Sequence, residues 1–198
     1  MSKIICITNR QLFDNFHPNC NSDEDYLDHI RRITETHPNA IILREKDLSD
    51  EDYLLLAEKV IPICENNGVQ CILHNCVTAA MTLNHRAIHL PLPILRSLSD
   101  EQRSFFHILG ASCHSLAEAL EAQRLGCTYI TASHIFPTEC KPDLPPHGLE
   151  FLREICQNID IPVYALGGIH PSNIQLALDT GADGVCMMSE FMEMRNEQ

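Results

Sequence analysis

The stretch Ile161 to Ser189, IPVYALGGIHPSNIQLALDTGADGVCMMS, constrains this chain more than any other. A short apolar run from Pro162 to Leu166 stops at Gly167-Gly168, and a helical pattern follows. His170-Pro171-Ser172-Asn173 carries start signals, Ile174, Ala177 and Leu178 have i, i+3, i+4 spacing, and Gly181 is a stop. Asp183 to Met188 then forms a second, nearly continuous apolar run, the pattern of a strand covered on both faces. The unit reads as βαβ, which implies a parallel sheet with helices packed on it. Paired glycines leave backbone N–H groups unshielded, and Ser189 can open a short helix after the second strand, so both are candidates to hold an anion. A tight turn and a helix cap would account for the same residues structurally.

The rest of the chain repeats that alternation. Lys3–Thr8, Ala40–Leu43, Val69–Leu73, Ala87–Leu90, Arg103–Leu109 and Thr128–Ala132 read as six more strands. Helices are expected over Asp23–Thr36, from Ser49 to about Asn66, over Cys76–Asn84, His114–Leu125 and Leu149–Asn158. Asn9–Ser22 reads as a loop. The segment after the fourth strand, PLPILRSLSDEQ, has two prolines and reads as a loop with at most a turn of helix. Eight strands and intervening helices fit a compact (β/α)₈ TIM barrel, with residues 1–198 as one domain. At 198 residues the chain is short for that fold, so its connections must be trimmed.

Composition excludes some partners. A formal net charge of −13, with only 14 Lys and Arg, gives no basic surface for nucleic acid or anionic lipid, while self-association stays open. No apolar run suits a membrane span or signal peptide, so a cytoplasmic location is expected. The ten cysteines form no CxxC pair and read as reduced thiols packed in strands and helices.

In a parallel barrel the residues just past the strand C-termini face the active site. That rule selects Arg44 and Lys46 after the second strand, Asn75 after the third, and Ser112 after the fifth. It also selects His134 after the sixth strand, followed by a loop of about sixteen residues, SHIFPTECKPDLPPHG, long enough to suggest a functional role. His134 is the favoured proton-transfer residue, because imidazole titrates near neutrality. His74 and His89 are second choices at strand ends, His114 reads as structural, and His147 and His170 as loop residues. No carboxylate pair, HExxH, DxDxD or Cys/His set faces the proposed site, so neither a metal nor another cofactor is expected. GxSxG, Walker A and GxGxxG signatures do not occur.

The segments IICITNR, IILREKDLS, GASCHSLAEALEA, YITASHIFPTECK, PVYALGGIHPSNI and GADGVCMMS, in that order, resemble the thiamine phosphate synthase and TenI superfamily. The resemblance implies a compact (β/α)₈ barrel. It implies a thiazole phosphate held by Gly167, Gly168 and Ser189, and a pyrophosphate-binding set matched by Arg44, Lys46, Thr138 and Lys141, with Cys140 in place of a second Thr. Synthases of the family hold Mg²⁺ with an Asn-Asp pair and a further Asp; this chain has Asn75-Cys76 and, near the second position, Ile94, and the Gln of their QxRxK is Ile42. TenI-type proteins also lack those acids and carry a His in a GHVFxTxCK-like segment, which His134 matches. The resemblance therefore implies a thiazole tautomerase acting on thiazole phosphate carboxylate. A divergent Mg²⁺-dependent synthase joining hydroxymethylpyrimidine pyrophosphate to thiazole phosphate is the enzyme alternative. A regulatory protein that binds a phosphorylated ligand without turnover is the other.

Overall fold

The computed structural model describes residues 3–20, 22–138 and 144–195. Eight parallel strands close into one barrel in sequence order: β1 Lys3–Ile7, β2 Ala40–Leu43, β3 Gln70–His74, β4 Ala87–Pro91, β5 Ile108–Cys113, β6 Tyr129–Ser133, β7 Val163–Leu166 and β8 Gly184–Met187. Closure is made by β1 against β8, with Ile4 opposite Val185 and Ile5 opposite Cys186. The expected (β/α)₈ barrel is the observed one. Among the described residues, no helix is long and apolar enough to cross a membrane.

Strand periodicity sorts the side chains into two populations. Cys6, Ile41, Leu43, Leu73, Ile88, Leu109, Ile130 and Val185 point outward and pack under the helices. Ile5, Ile7, Ile42, Ile72, Tyr129, Tyr164 and Cys186 point inward and fill the barrel. Toward the C-terminal mouth the inward positions turn polar: His74, His89, Thr131 and Ser133 are all buried there.

Helix starts follow the local chemistry. Helix α1 (Arg10–Phe16) lies in the segment expected to be loop, because the Asn9 side chain accepts from the Leu12 N–H and satisfies the first turn. Helix α2 (Asp23–Glu35) begins with a reciprocal Ser22–Asp25 capping box, and α3 (Asp50–Asn66) with Ser49 accepting from the Asp52 N–H. Helix α4 (Val77–Thr82) precedes β4, and the loop expected after that strand is instead two short helices, α5 (Leu92–Ser97) and α6 (Asp100–Phe105). Ser99 and Gln102 form a second capping box, so the chain at Arg103 is helical. The fifth strand therefore starts at Ile108 rather than Arg103, and Ser112 lies inside β5 rather than beyond its end. Helix α7 (Leu116–Arg124) is capped by Ser115, two residues later than the expected start at His114. Helix α8 (Gly148–Asn158), α9 (Ile174–Leu178) and α10 (Ser189–Met192) complete the outer layer.

Two contacts hold the strand ends that frame the mouth. The Tyr53 hydroxyl donates to Leu43 O at 2.7 Å and accepts from the His74 N–H at 2.8 Å, bridging β2 and β3. Glu45, buried just after β2, accepts from Thr8 Oγ1 at 2.5 Å, Tyr26 Oη at 2.6 Å and the Arg10 N–H at 2.7 Å. Burial raises its pKa, and these three donors oppose that rise. Thr8 Oγ1 in turn accepts from the Arg44 N–H at 2.9 Å, so this buried acid fixes the backbone from which Arg44 and Lys46 project.

Candidate active site

A cavity of about 190 Å³ opens at the C-terminal mouth. Its lining includes Arg44, His74, His89, Ser112, His134, Thr138, Gly167, Gly168 and Ser189, with Ile7, Ile42 and Cys186 below. Residues 92 positions or more apart in the chain, such as Ile42 and His134, thus meet because every parallel strand delivers its C-terminal end to one rim.

His134 follows β6 directly and is 3% exposed. Its Nε2 lies 3.2 Å from Leu144 O. A carbonyl oxygen only accepts, so Nε2 carries a hydrogen, and in the neutral ring the basic lone pair is on Nδ1. Its backbone is pinned by neighbours: the Ile135 N–H donates to Leu166 O at 3.0 Å, the Phe136 N–H to Gly167 O at 3.0 Å, and the His147 N–H to His134 O at 2.9 Å. His114 does have the expected structural role, donating from Nδ1 to Ser133 O at 2.8 Å.

The glycine pair does more than turn the chain. Gly167 has φ 98° and Gly168 φ 65°. A Cβ on Gly167 would collide with His134 Cβ and lie 2.8 Å from His134 Cα, and one on Gly168 would lie 2.8 Å from Phe136 Cβ. The missing side chains let the segment carrying His134 run against the β7 end. Asn173 Nδ2 donates to Gly168 O at 2.8 Å, and Asn173 Oδ1 accepts from the His170 N–H at 3.0 Å, which closes the bend. Ser189 is the first residue of α10 and faces the same cavity.

His74 and His89, the second choices from the sequence, line the cavity as a stacked pair with centroids 6.0 Å apart. Burial lowers the pKa of each to about 3; for His74, interaction with His89, Arg44 and Lys46 also lowers it. Both rings are neutral at pH 7. The Arg44 guanidinium has no ion-pair partner among the described residues, which leaves its charge for a ligand.

Two of the expected residues fall elsewhere. Lys46 and Asn75 line a neighbouring cavity of about 280 Å³ with Glu45, Asp50, Tyr53, Cys76 and Pro91, sharing His74 with the first. They sit past the strand ends, as the rim rule required, but they line this second cavity and not the one that holds His134; Asn75 has φ 68°. Lys141 and Cys140 lie outside the described residues. A Mg²⁺ site here would need oxygen ligands, commonly two carboxylates. Glu45 spends its oxygens on three internal donors, Cys76 and Pro91 supply no carboxylate, and Asp50 is the remaining acid, so this donor set does not fit Mg²⁺.

Residues 7–191 match the family described as thiamine monophosphate synthase, TMP-TENI. The chain belongs to this family. The thiamine-phosphate synthase of Syntrophomonas wolfei is 32% identical over 172 residues, covering 84% of this chain and 80% of that protein. A putative thiamine-phosphate synthase 2 of Aquifex aeolicus is 32% identical over 170 residues, covering 86% and 91%. Among solved structures, thiamine phosphate pyrophosphorylase from Pyrococcus furiosus superposes with a TM-score of 0.80 at 28% identity, covering 98% of this chain and 88% of that one. These names support the synthase side of the family and give no support to the TenI-type assignment expected from the His134 segment.

Proposed function

We propose that the chain is an enzyme of thiamine biosynthesis that binds a thiazole phosphate at the mouth of the barrel and shifts a proton on its ring. Gly167, Gly168 and Ser189 take the phosphate, Arg44 balances further negative charge with the Thr138 hydroxyl also in the lining, and His134 moves the proton. The reaction conserves every atom: His134 Nδ1 accepts a hydrogen from one ring position and the same imidazole returns it at another, with the ring electrons redistributed between them. The observation that supports this reading is the company His134 keeps. A buried imidazole with one lone pair shares a small cavity with an arginine and the glycine bend, and no Asp or Glu lines that cavity among the described residues.

Replacing His134→Asn tests it. Turnover of thiazole phosphate carboxylate, followed by the ultraviolet change on aromatisation or by ring-proton exchange in deuterated water, is expected to fall by about two to four orders of magnitude with the fold intact. Unchanged turnover would reject the role of His134.

A second reading is favoured by the relatives, which are named as synthases, and by Arg44 and Lys46 both placing positive charge near His74, the residue shared by the two cavities. In that reading the chain joins a pyrimidine pyrophosphate to thiazole phosphate. Release of pyrophosphate and formation of thiamine phosphate from the two substrates, rising with added Mg²⁺, would establish it in place of the proton shift.

A further inference from the structure

One layer below His134, three neighbouring strands carry a set of side chains that the proton shift does not use. His89, Gly110 and Tyr129 are register partners across β4, β5 and β6. A Cβ on Gly110 would overlap the Tyr129 ring and lie 2.5 Å from its hydroxyl oxygen. The missing side chain therefore lets Tyr129 reach across the intervening strand to His89, where its Oη is 3.0 Å from Nδ1. The opposite ring nitrogen, Nε2, is 2.8 Å from Ser112 Oγ, and Ser112 lines the cavity. Thr131 Oγ1 donates to the same Ser112 oxygen at 3.4 Å.

The direction of this chain follows from which protons have somewhere to go. His89 Nδ1 is the one hydrogen-bond partner of the Tyr129 hydroxyl among the described residues. If Nδ1 held a hydrogen, the phenolic proton would be buried without an acceptor, which native interiors rarely tolerate. Tyr129 thus donates, Nδ1 accepts, and Nε2 carries the hydrogen that is given to Ser112. Burial keeps this assignment fixed near neutral pH, because it raises the Tyr129 pKa well above its usual value and lowers that of His89 to about 3. Ser112 Oγ then accepts twice, from His89 and Thr131. Its single hydrogen is left to point into the cavity.

We propose that Tyr129 and His89 are positioning residues that set the Ser112 hydroxyl as a hydrogen-bond donor to the bound ligand, selecting ligands that present an acceptor there, such as a carboxylate oxygen. This deepens the proposed function and rests on it for the identity of the ligand, while the polarity of the chain stands on the fold alone. Nothing in it requires proton transfer through Tyr129.

The test is a double-mutant cycle on kcat/KM for thiazole phosphate carboxylate. Tyr129→Phe and Ser112→Ala are each expected to lower kcat/KM by about five- to thirtyfold, the worth of one or two hydrogen bonds, and the double variant should fall no further than Ser112→Ala. Additive losses would show that Tyr129 acts by packing and overturn the proposal. Nitrogen-15 NMR of His89 reads the same claim without a ligand. The unsubstituted protein should hold its hydrogen on Nε2 alone, and Tyr129→Phe should give mixed tautomers; a hydrogen on Nδ1 in the unsubstituted protein overturns the proposal even if a variant fails to fold. If thiazole phosphate carboxylate is neither bound nor turned over while the NMR result holds, the fault lies with the proposed function and not with the hydrogen-bond chain.

Discussion

Gly167→Ala is the substitution that most directly probes how the fold supports the site. The residue has φ 98°, a conformation costing an L-amino acid about 1–3 kcal/mol, and the new methyl group would press into His134. Overpacking of this kind adds about 1–3 kcal/mol, so the total is about 2–6 kcal/mol. In a chain of 198 residues, each kcal/mol lowers the thermal midpoint by about 2–4 °C, which predicts a drop of roughly 5–20 °C. Activity should suffer beyond stability, because a displacement of His134 by about 1 Å can cost about a hundredfold in rate. Calorimetry would measure the midpoint, and turnover well below that midpoint would isolate the effect on the site. An unchanged midpoint with full turnover would refute the claim that the bend is glycine because His134 needs the space.

Acid should destabilise the protein in a defined window. Burial lowers the pKa of His29 to about 4, with its Nε2 2.8 Å from Phe191 O, and lowers His74 and His89 to about 3. A folded-state pKa below that of the unfolded chain, near 6.5, means that unfolding takes up protons, so stability is lost as pH falls from about 6.5 toward 3–4. His29 alone should contribute a loss of about 2 kcal/mol by pH 5; urea titrations in which His29→Gln keeps the full pH slope would contradict this assignment. At the rim, Arg44→Met should weaken binding of a phosphorylated, carboxylated thiazole by about 10- to 100-fold, with a smaller effect on an analogue bearing the phosphate alone. Equal losses for both ligands by calorimetry would place Arg44 on the phosphate instead.

Much of this protein was written locally. Strand–helix alternation, the serine caps of α2 and α3 and the apolar β8 depend on short-range patterning, which is why eight strands and a barrel can be read from one chain. Rim residues such as Arg44 and His134 follow from the same logic, since being next to a strand's C-terminus is a one-dimensional property. Local reading failed where short-range signals competed: the capping box at Ser99 makes Arg103 helical, and the Asn9 cap makes a helix of an expected loop.

Distances across the barrel belong to the closed sheet alone. Which face of β4 bears His89, that Gly110 clears a path for Tyr129, and that Glu45 is consumed by Thr8, Tyr26 and the Arg10 amide all depend on register between strands far apart in sequence. The residue order supplied the groups, because side-chain identity and period are local. Closure of the sheet decided which of them meet, because hydrogen bonds and excluded volume act only between groups that the fold has brought together.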